Sequence, residues 1–336
     1  MKRQYAAVVI LILSFLVFIF IVLPALNLNE FIESLKSTDI FLFSLAIVAL
    51  LISNGIASLR WSILLQKINA KGAQLFFNAF GMFCVGQVAG LIVPSRVGNY
   101  SKVPLVRKMD KLSYEAIISA VNAETILDLA YICCAGVVSI FILSAFFSAY
   151  PYFSTILVVL ILLILFGSYI TLYNIQKFQP FYDRLFSIAA NSNRNWLIRI
   201  LEKCLLKLID LIKSTRNIFS KRMIIAQLSG LTIITQLFGV LGMFFIIESV
   251  HVSLQLTDIF AILTITYIVG IASLIPGGFG ASDLSLIALL GYEGVSLPDA
   301  TNIVILWRIA MYLPIIVVTG IFFISGKIGK KEIVEK

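Results

Sequence analysis

Apolar runs of membrane length follow one another along this chain, separated by short polar stretches. Tyr5–Leu26, Ile40–Leu59, Phe153–Tyr173, Met223–Ile247 and Ala300–Ile324 each supply the roughly 20 mainly apolar residues that a helix needs to cross a bilayer. Ser113–Phe147 is longer, and Ser113-Tyr114-Glu115 opens it as a helix start, with a hydroxyl to cap it and a carboxylate in its first turn. Two further stretches do not fit a simple span. Leu75–Val93 is interrupted by Gly81, Gly86, Gln87 and Gly90 and closed by Pro94. Ile259–Ile275 and Leu284–Leu290 are each too short to cross, and between them lie Pro276 and three glycines, Gly277, Gly278 and Gly280. Proline withdraws a backbone donor, and glycine opens backbone geometries closed to other residues. At membrane depth such a break survives only where protein covers it or where it lines a wet cavity.

Charge placement orients these runs. Lys2 and Arg3 place the N-terminus in the cytoplasm, and the acidic 27–39 loop suits the outside. Ile40–Leu59 returns inward and ends at Arg60-Trp61, a cation and an aromatic expected at the membrane interface. If Leu75–Val93 crossed, Arg96, Lys102, Arg107, Lys108 and Lys111 would lie outside against Asp110 alone. The positive-inside bias predicts instead that Leu75–Val93 enters from the cytoplasm and turns back. Glu248 and Asp258 before the second broken stretch, and Glu293 and Asp299 after it, suit the outside. Ile259–Leu290 is therefore expected to enter from outside and return, turning at Pro276–Gly280. The predicted fold is an all-α polytopic membrane protein with six full spans and two re-entrant hairpins, both termini cytoplasmic, in the cytoplasmic membrane.

Composition agrees: 60% of residues are hydrophobic and 13% charged, which leaves no room for a soluble domain of ordinary size. The net charge of +9 reads as basic cytoplasmic loops and does not require a nucleic-acid partner. Residues 1–336 form one transmembrane domain. Within it, 177–222 carries ten lysines and arginines against three acids. Arg199, Lys203, Lys207 and Asp210 recur on one face there, and Leu197, Leu201, Leu205 and Leu208 on the other. This predicts an amphipathic helix lying on the anionic inner leaflet.

The two broken stretches resemble each other. Pro94-Ser95-Arg96-Val97-Gly98 parallels Pro276-Gly277-Gly278-Phe279-Gly280. Downstream, Glu115-Ala116 corresponds to Asp299-Ala300, and nine residues after each acid come Glu124 and Arg308. One copy enters from the cytoplasm and the other from outside, which is an inverted repeat, an architecture with its substrate site near mid-membrane.

Ionisable groups inside the bilayer mark pairs, wet cavities or pathways. Glu124 and Asp128 lie four apart on one helix face, where like charges repel and call for cations, water or shared protons. A structural ion pair with Arg308 or Lys102 would satisfy them. Asp283 opens the helix after the glycine turn, where its charge suits the helix dipole. Arg96, Gly98, Lys102, Glu124, Asp128, Gly278, Gly280, Asp283 and Arg308 are the expected lining of a pathway for a polar or phosphorylated headgroup, the basic groups and glycine amides facing phosphate. The four cysteines lack metal or disulfide spacing, and His251, the single histidine, has no carboxylate cluster. No catalytic residue, metal or cofactor is expected.

At these residues the chain resembles the lysylphosphatidylglycerol synthase transmembrane-region family of flippase-like membrane proteins. Pro94-Ser95-Arg96-Val97-Gly98-Asn99 with Lys102 is similar to the family's first turn, although Asn99 stands where the family usually has Glu. Glu124-Thr125-Ile126-Leu127-Asp128 keeps both acids of its next motif without the adjacent Arg, and Pro276–Gly280 with Asp283 fits its second turn. The resemblance implies translocation of a lipid that a separate soluble domain makes. No such domain is expected here, so aminoacylation is not expected. The reading is a stand-alone translocator of a phospholipid or lipid-linked glycan, with membrane lipids and a separate synthase or glycosyltransferase as partners. The alternatives are an integral-membrane transferase, which would want paired acids in an outer loop, and a non-transporting scaffold.

Overall fold

The computed structural model describes residues 28–93, 95–152 and 222–325, with 155–156, 158–159, 161–162, 215 and 218–219. The expected first span, most of the 153–173 span and nearly all of the basic 177–222 segment with its amphipathic helix lie outside the described residues.

The described elements are helical. They are α1 (Leu28–Ser37), α2 (Ile40–Lys67), α3 (Phe76–Ala89), a 3₁₀ segment (Ser95–Ser101), α4 (Lys102–Asp110), α5 (Tyr114–Ile142) and α6 (Ser144–Ala149). Beyond the basic segment come α7 (Arg222–Ser249), α8 (Leu256–Ala272), α9 (Ala281–Tyr292) and α10 (Leu297–Ile324). Among them α2, α5, α7 and α10 are long and apolar enough to cross a membrane. At 28 or 29 residues each, they run about 42 Å at 1.5 Å per residue. The expected 113–147 helix is shorter than its apolar run. It ends at Leu143, and α6 follows.

Polar capping residues set where the long helices begin. Asp39 accepts from the amides of Phe41 and Leu42 and starts α2. Ser113 accepts from the Ala116 amide and starts α5, with Glu115 in the first turn. Ser296 does the same for α10 through the Asp299 amide. These caps satisfy amides that a helix leaves without internal partners.

Two hairpins fill the space between the long helices, one from each end of the bundle. α3 starts beside the C-terminal end of α2, and the chain turns after Gly90 and comes back through the 3₁₀ segment and α4. Asp110, the last residue of α4, accepts from the amides of Gly72 and Ala73 just before α3, so the hairpin closes at the end where it began. α8 starts at the other end, beside the C-terminus of α7, and α9 returns there. The α2 N-terminus lies at that end too, since the Asp39 amide donates to the Ser249 carbonyl. At 14, 17 and 12 residues, α3, α8 and α9 run about 21, 25 and 18 Å, short of the roughly 30 Å hydrocarbon core.

The tips of the hairpins meet. The Gly277 amide donates to the Gly90 carbonyl at 2.9 Å. Each hairpin has its own core. Trp61, Leu64 and Leu65 of α2, Met82 of α3, Val106 of α4 and Val121 of α5 pack around the first. Met243, Ile246, Ile259, Ile262, Leu290 and Ile303 pack around the second. Close approach fixes the first tip: a Cβ on Gly98 would lie 2.3 Å from the Gly90 nitrogen, so no larger residue fits. The second tip needs glycine for another reason. Gly277, Gly278 and Gly280 have φ of 63°, 67° and 84°, in the left-handed region that disfavours a side chain.

Candidate functional site

Two groups of charged side chains lie inside the bundle, one behind each hairpin. In the first, Arg60 of α2 reaches across to α5. Its guanidinium donates to Asp128 at 2.5 Å and to the Thr232 hydroxyl of α7 at 2.7 Å, and lies 3.5 Å from Glu124. Lys102, the first residue of α4, pairs with the other Glu124 oxygen at 2.5 Å. Its ammonium also sits over the Trp61 ring, 4.2 Å from the centroid, where the ring's negative face attracts it. Lys102 is fully buried, and Arg60, Glu124 and Asp128 nearly so. Two cations thus answer the two carboxylates that repel each other at i, i+4.

In the second group Arg308 of α10 holds the glycine turn. Its Nε donates to Asp283 at 2.8 Å, and Nη2 lies 2.6 Å from the same carboxylate oxygen. Nη1 donates to the Gly277 carbonyl at 2.9 Å and to the Tyr312 hydroxyl at 3.0 Å, and Nη2 to Ser282 at 2.8 Å. The Phe279 ring covers the guanidinium. Asp283 meanwhile accepts from the Gly280 amide and caps the start of α9. Gly277 therefore joins three parts: its carbonyl is held by Arg308, and its amide holds the first hairpin at Gly90.

A cavity of about 290 Å³ lies between the two groups. Arg60, Glu124 and Asp128 face it from one side, and Gly277, Gly278, Asp283 and Arg308 from the other. The expected site residues thus divide. Glu124, Asp128, Gly278, Asp283 and Arg308 share the cavity wall. Lys102 stands behind the wall on Glu124, Gly98 packs against Gly90 and Gly280 caps α9. The side chain of Arg96 lies outside the described residues, as does Pro94.

Two assignments change. Arg308 does not pair with Glu124 or Asp128, because Asp283, one helical turn beyond the glycine turn, is nearer to it. Their second cation is Arg60, and Arg60 and Trp61 face the interior of the bundle, being 3% and 0% exposed. The signal for this was present: Ile63, Leu64 and Leu65 carry the apolar pattern past Arg60, and α2 runs on to Lys67.

The family model for the lysylphosphatidylglycerol synthase TM region matches residues 5–319, nearly the whole chain. The chain belongs to that family. No curated protein and no solved structure matches it. As a lysylphosphatidylglycerol synthase TM-region protein it is an integral, multi-pass membrane protein, and its family ties it to lipid modification or transport. Among the described residues no cluster of three or more His, Cys, Asp or Glu side chains could hold a metal. What the arrangement offers chemically is a cavity lined by paired charges and polar amides as well as apolar side chains, bordered by the tips of both hairpins.

Proposed function

We propose that this protein translocates a phospholipid or a lipid-linked glycan across the cytoplasmic membrane, passing the polar headgroup through the chamber between the two hairpins. The observation that carries this reading is the meeting of Gly277 with Gly90 above a cavity lined by Glu124, Asp128, Asp283 and Arg308. Polar groups at membrane depth, placed where two non-spanning hairpins touch, suit a substrate that must leave water while its tails stay in lipid.

In this reading both hairpins are re-entrant, α3–α4 from the cytoplasm and α8–α9 from outside, and together with α5 and α10 they form an inverted repeat. The matched serine caps of α5 and α10, and the arrival of Glu124 and Arg308 at one chamber, support that pairing. Both termini are cytoplasmic, and the enzyme that makes the lipid is a separate partner. The chain itself is a transporter without catalytic residues.

The test is transport of fluorescent lipid analogues in proteoliposomes, with Arg308→Gln and Glu124→Gln made singly and together and protein incorporation matched. We expect the parent chain to move lipid and Arg308→Gln to lose most of that movement. Unchanged movement in all three variants would end the proposal. A cysteine at Lys108 and one at Glu293 should label from opposite sides of the membrane, and labelling from the same side would overturn the topology.

A further inference from the structure

We infer that the chamber takes an uncharged, hydroxyl-rich headgroup, of the class of a glycosyl diacylglycerol, in preference to an anionic phospholipid. This rests on the reading of the chamber as the headgroup site. The charges around it already cancel. Arg60, Lys102 and Arg308 face Glu124, Asp128 and Asp283, three against three, and every cation is in contact with a carboxylate.

The cations are also committed in geometry. A guanidinium has five N–H donors. Those of Arg308 are directed at Asp283 through Nε and Nη2, at Gly277 and Tyr312 through Nη1, and at Ser282 through Nη2. Lys102 is 0% exposed behind Glu124. A phosphate entering the chamber would meet cations already paired with carboxylates, and three carboxylates in or near the wall. A buried charge without a partner is strongly disfavoured, so a phosphate gains little here.

The rest of the wall suits hydroxyls. Asn54, Gln87, Asn99 and Gln236 line it, each carrying donors and an acceptor on one amide. Thr266, also on the wall and 5% exposed, has a hydroxyl with no hydrogen-bond partner, and neither has Nε of Arg60. The Thr266 hydroxyl both donates and accepts, as a sugar hydroxyl does, while Nε of Arg60, a donor alone, asks only for an acceptor. Trp307, Tyr267 and Tyr312 add aromatic surface for the apolar face of a sugar ring. A volume of about 290 Å³ is at the small end for a ligand site, which suits one ring better than a chain of them.

Binding and movement are measured separately on the full-length protein. In detergent, short-chain monoglucosyl diacylglycerol and short-chain phosphatidylglycerol are compared by native mass spectrometry. The glucosyl lipid should bind about tenfold tighter, and Thr266→Val should weaken it by about fivefold, the loss of roughly one hydrogen bond. Thr266→Val should leave the melting temperature unchanged or higher, because the parent hydroxyl is buried without a partner. Gln236→Leu should weaken the glucosyl lipid without changing phosphatidylglycerol. Equal or tighter binding of phosphatidylglycerol, or no binding of either, overturns the assignment. In proteoliposomes, glucosyl binding without movement of any lipid would overturn translocation and leave the headgroup assignment standing. Preferential movement of phosphatidylglycerol would do the reverse.

Discussion

The two charged groups are built from the same kinds of side chain and sit in different surroundings. Behind the first hairpin, Arg60, Lys102, Glu124 and Asp128 tie α2, α4 and α5 together, and the Arg60 bond to Thr232 brings in α7. These side chains are between 0% and 9% exposed. At the second hairpin the Arg308 side chain is 17% exposed, and its partners come from the glycine turn, the start of α9 and its own helix. The contrast separates two uses of a buried charge. A network shared among four helices fastens the bundle, and a pair exposed on a cavity can respond to what enters. Mutations should fall into the same two classes.

The hardest break of the comparison is Lys102→Met. Removing one partner of a buried pair leaves a charge uncompensated, at about 3–5 kcal/mol. We expect loss of monodisperse protein on size-exclusion chromatography. Lys102→Met with Glu124→Gln should recover part of it, since the pair leaves together. Next comes Gly98→Ala, whose new methyl would lie 2.3 Å from the Gly90 nitrogen. Overpacking of this kind costs about 1–3 kcal/mol, read as a lowered melting temperature, and it should also impair transport by displacing the tip contact.

Arg308→Lys sharpens the contrast from the other side. Lysine keeps the charge but cannot hold Asp283, Gly277 and Tyr312 at once. Transport should fall several-fold while the melting temperature changes less than in Gly98→Ala. Gly278→Ala, at a φ of 67°, should cost about 1 kcal/mol or slightly more from the left-handed backbone. The smallest effect belongs to Glu293, at the end of α9. Burial, and then the nearby charge of Asp258, push its carboxyl above the usual carboxylate range. The folded state therefore holds this proton more tightly than the unfolded chain does. Stability is greatest below the ordinary carboxylate range and declines slightly as pH rises through it. Melting curves of Glu293→Gln should lack that decline.

Much of the second hairpin could be read from the letters. Pro276 followed by three glycines allows few structures other than a turn with positive φ, and Asp283 sits where a helix start wants an anion. The serine start of α5 was equally plain, whereas α10 begins at Leu297 behind Ser296, ahead of the Ala300 start expected. Arg60 was only partly legible: Ile63, Leu64 and Leu65 carry the apolar pattern past it, but an arginine beside a tryptophan near the end of an apolar run reads much the same at an interface as in a core. Only the packing of α5 and α7 against α2 distinguishes the two. The partner of Arg308 was hidden for a similar reason. Sequence spacing shows that Asp283, Glu124 and Asp128 are available, and the tertiary fold decides which is near. The break at Leu143 has no proline or glycine to announce it.

The hydrogen bond from Gly277 to Gly90 has a mechanical consequence. Each hairpin is anchored at its own end of the bundle and meets the other at its tip, and Arg308 ties the second tip to α10 as well. One backbone bond contributes about 1 kcal/mol, roughly twice the thermal energy. This one bond is therefore within reach of thermal fluctuation. Arg308 grips the carbonyl of that same residue, so both tips and α10 converge on Gly277.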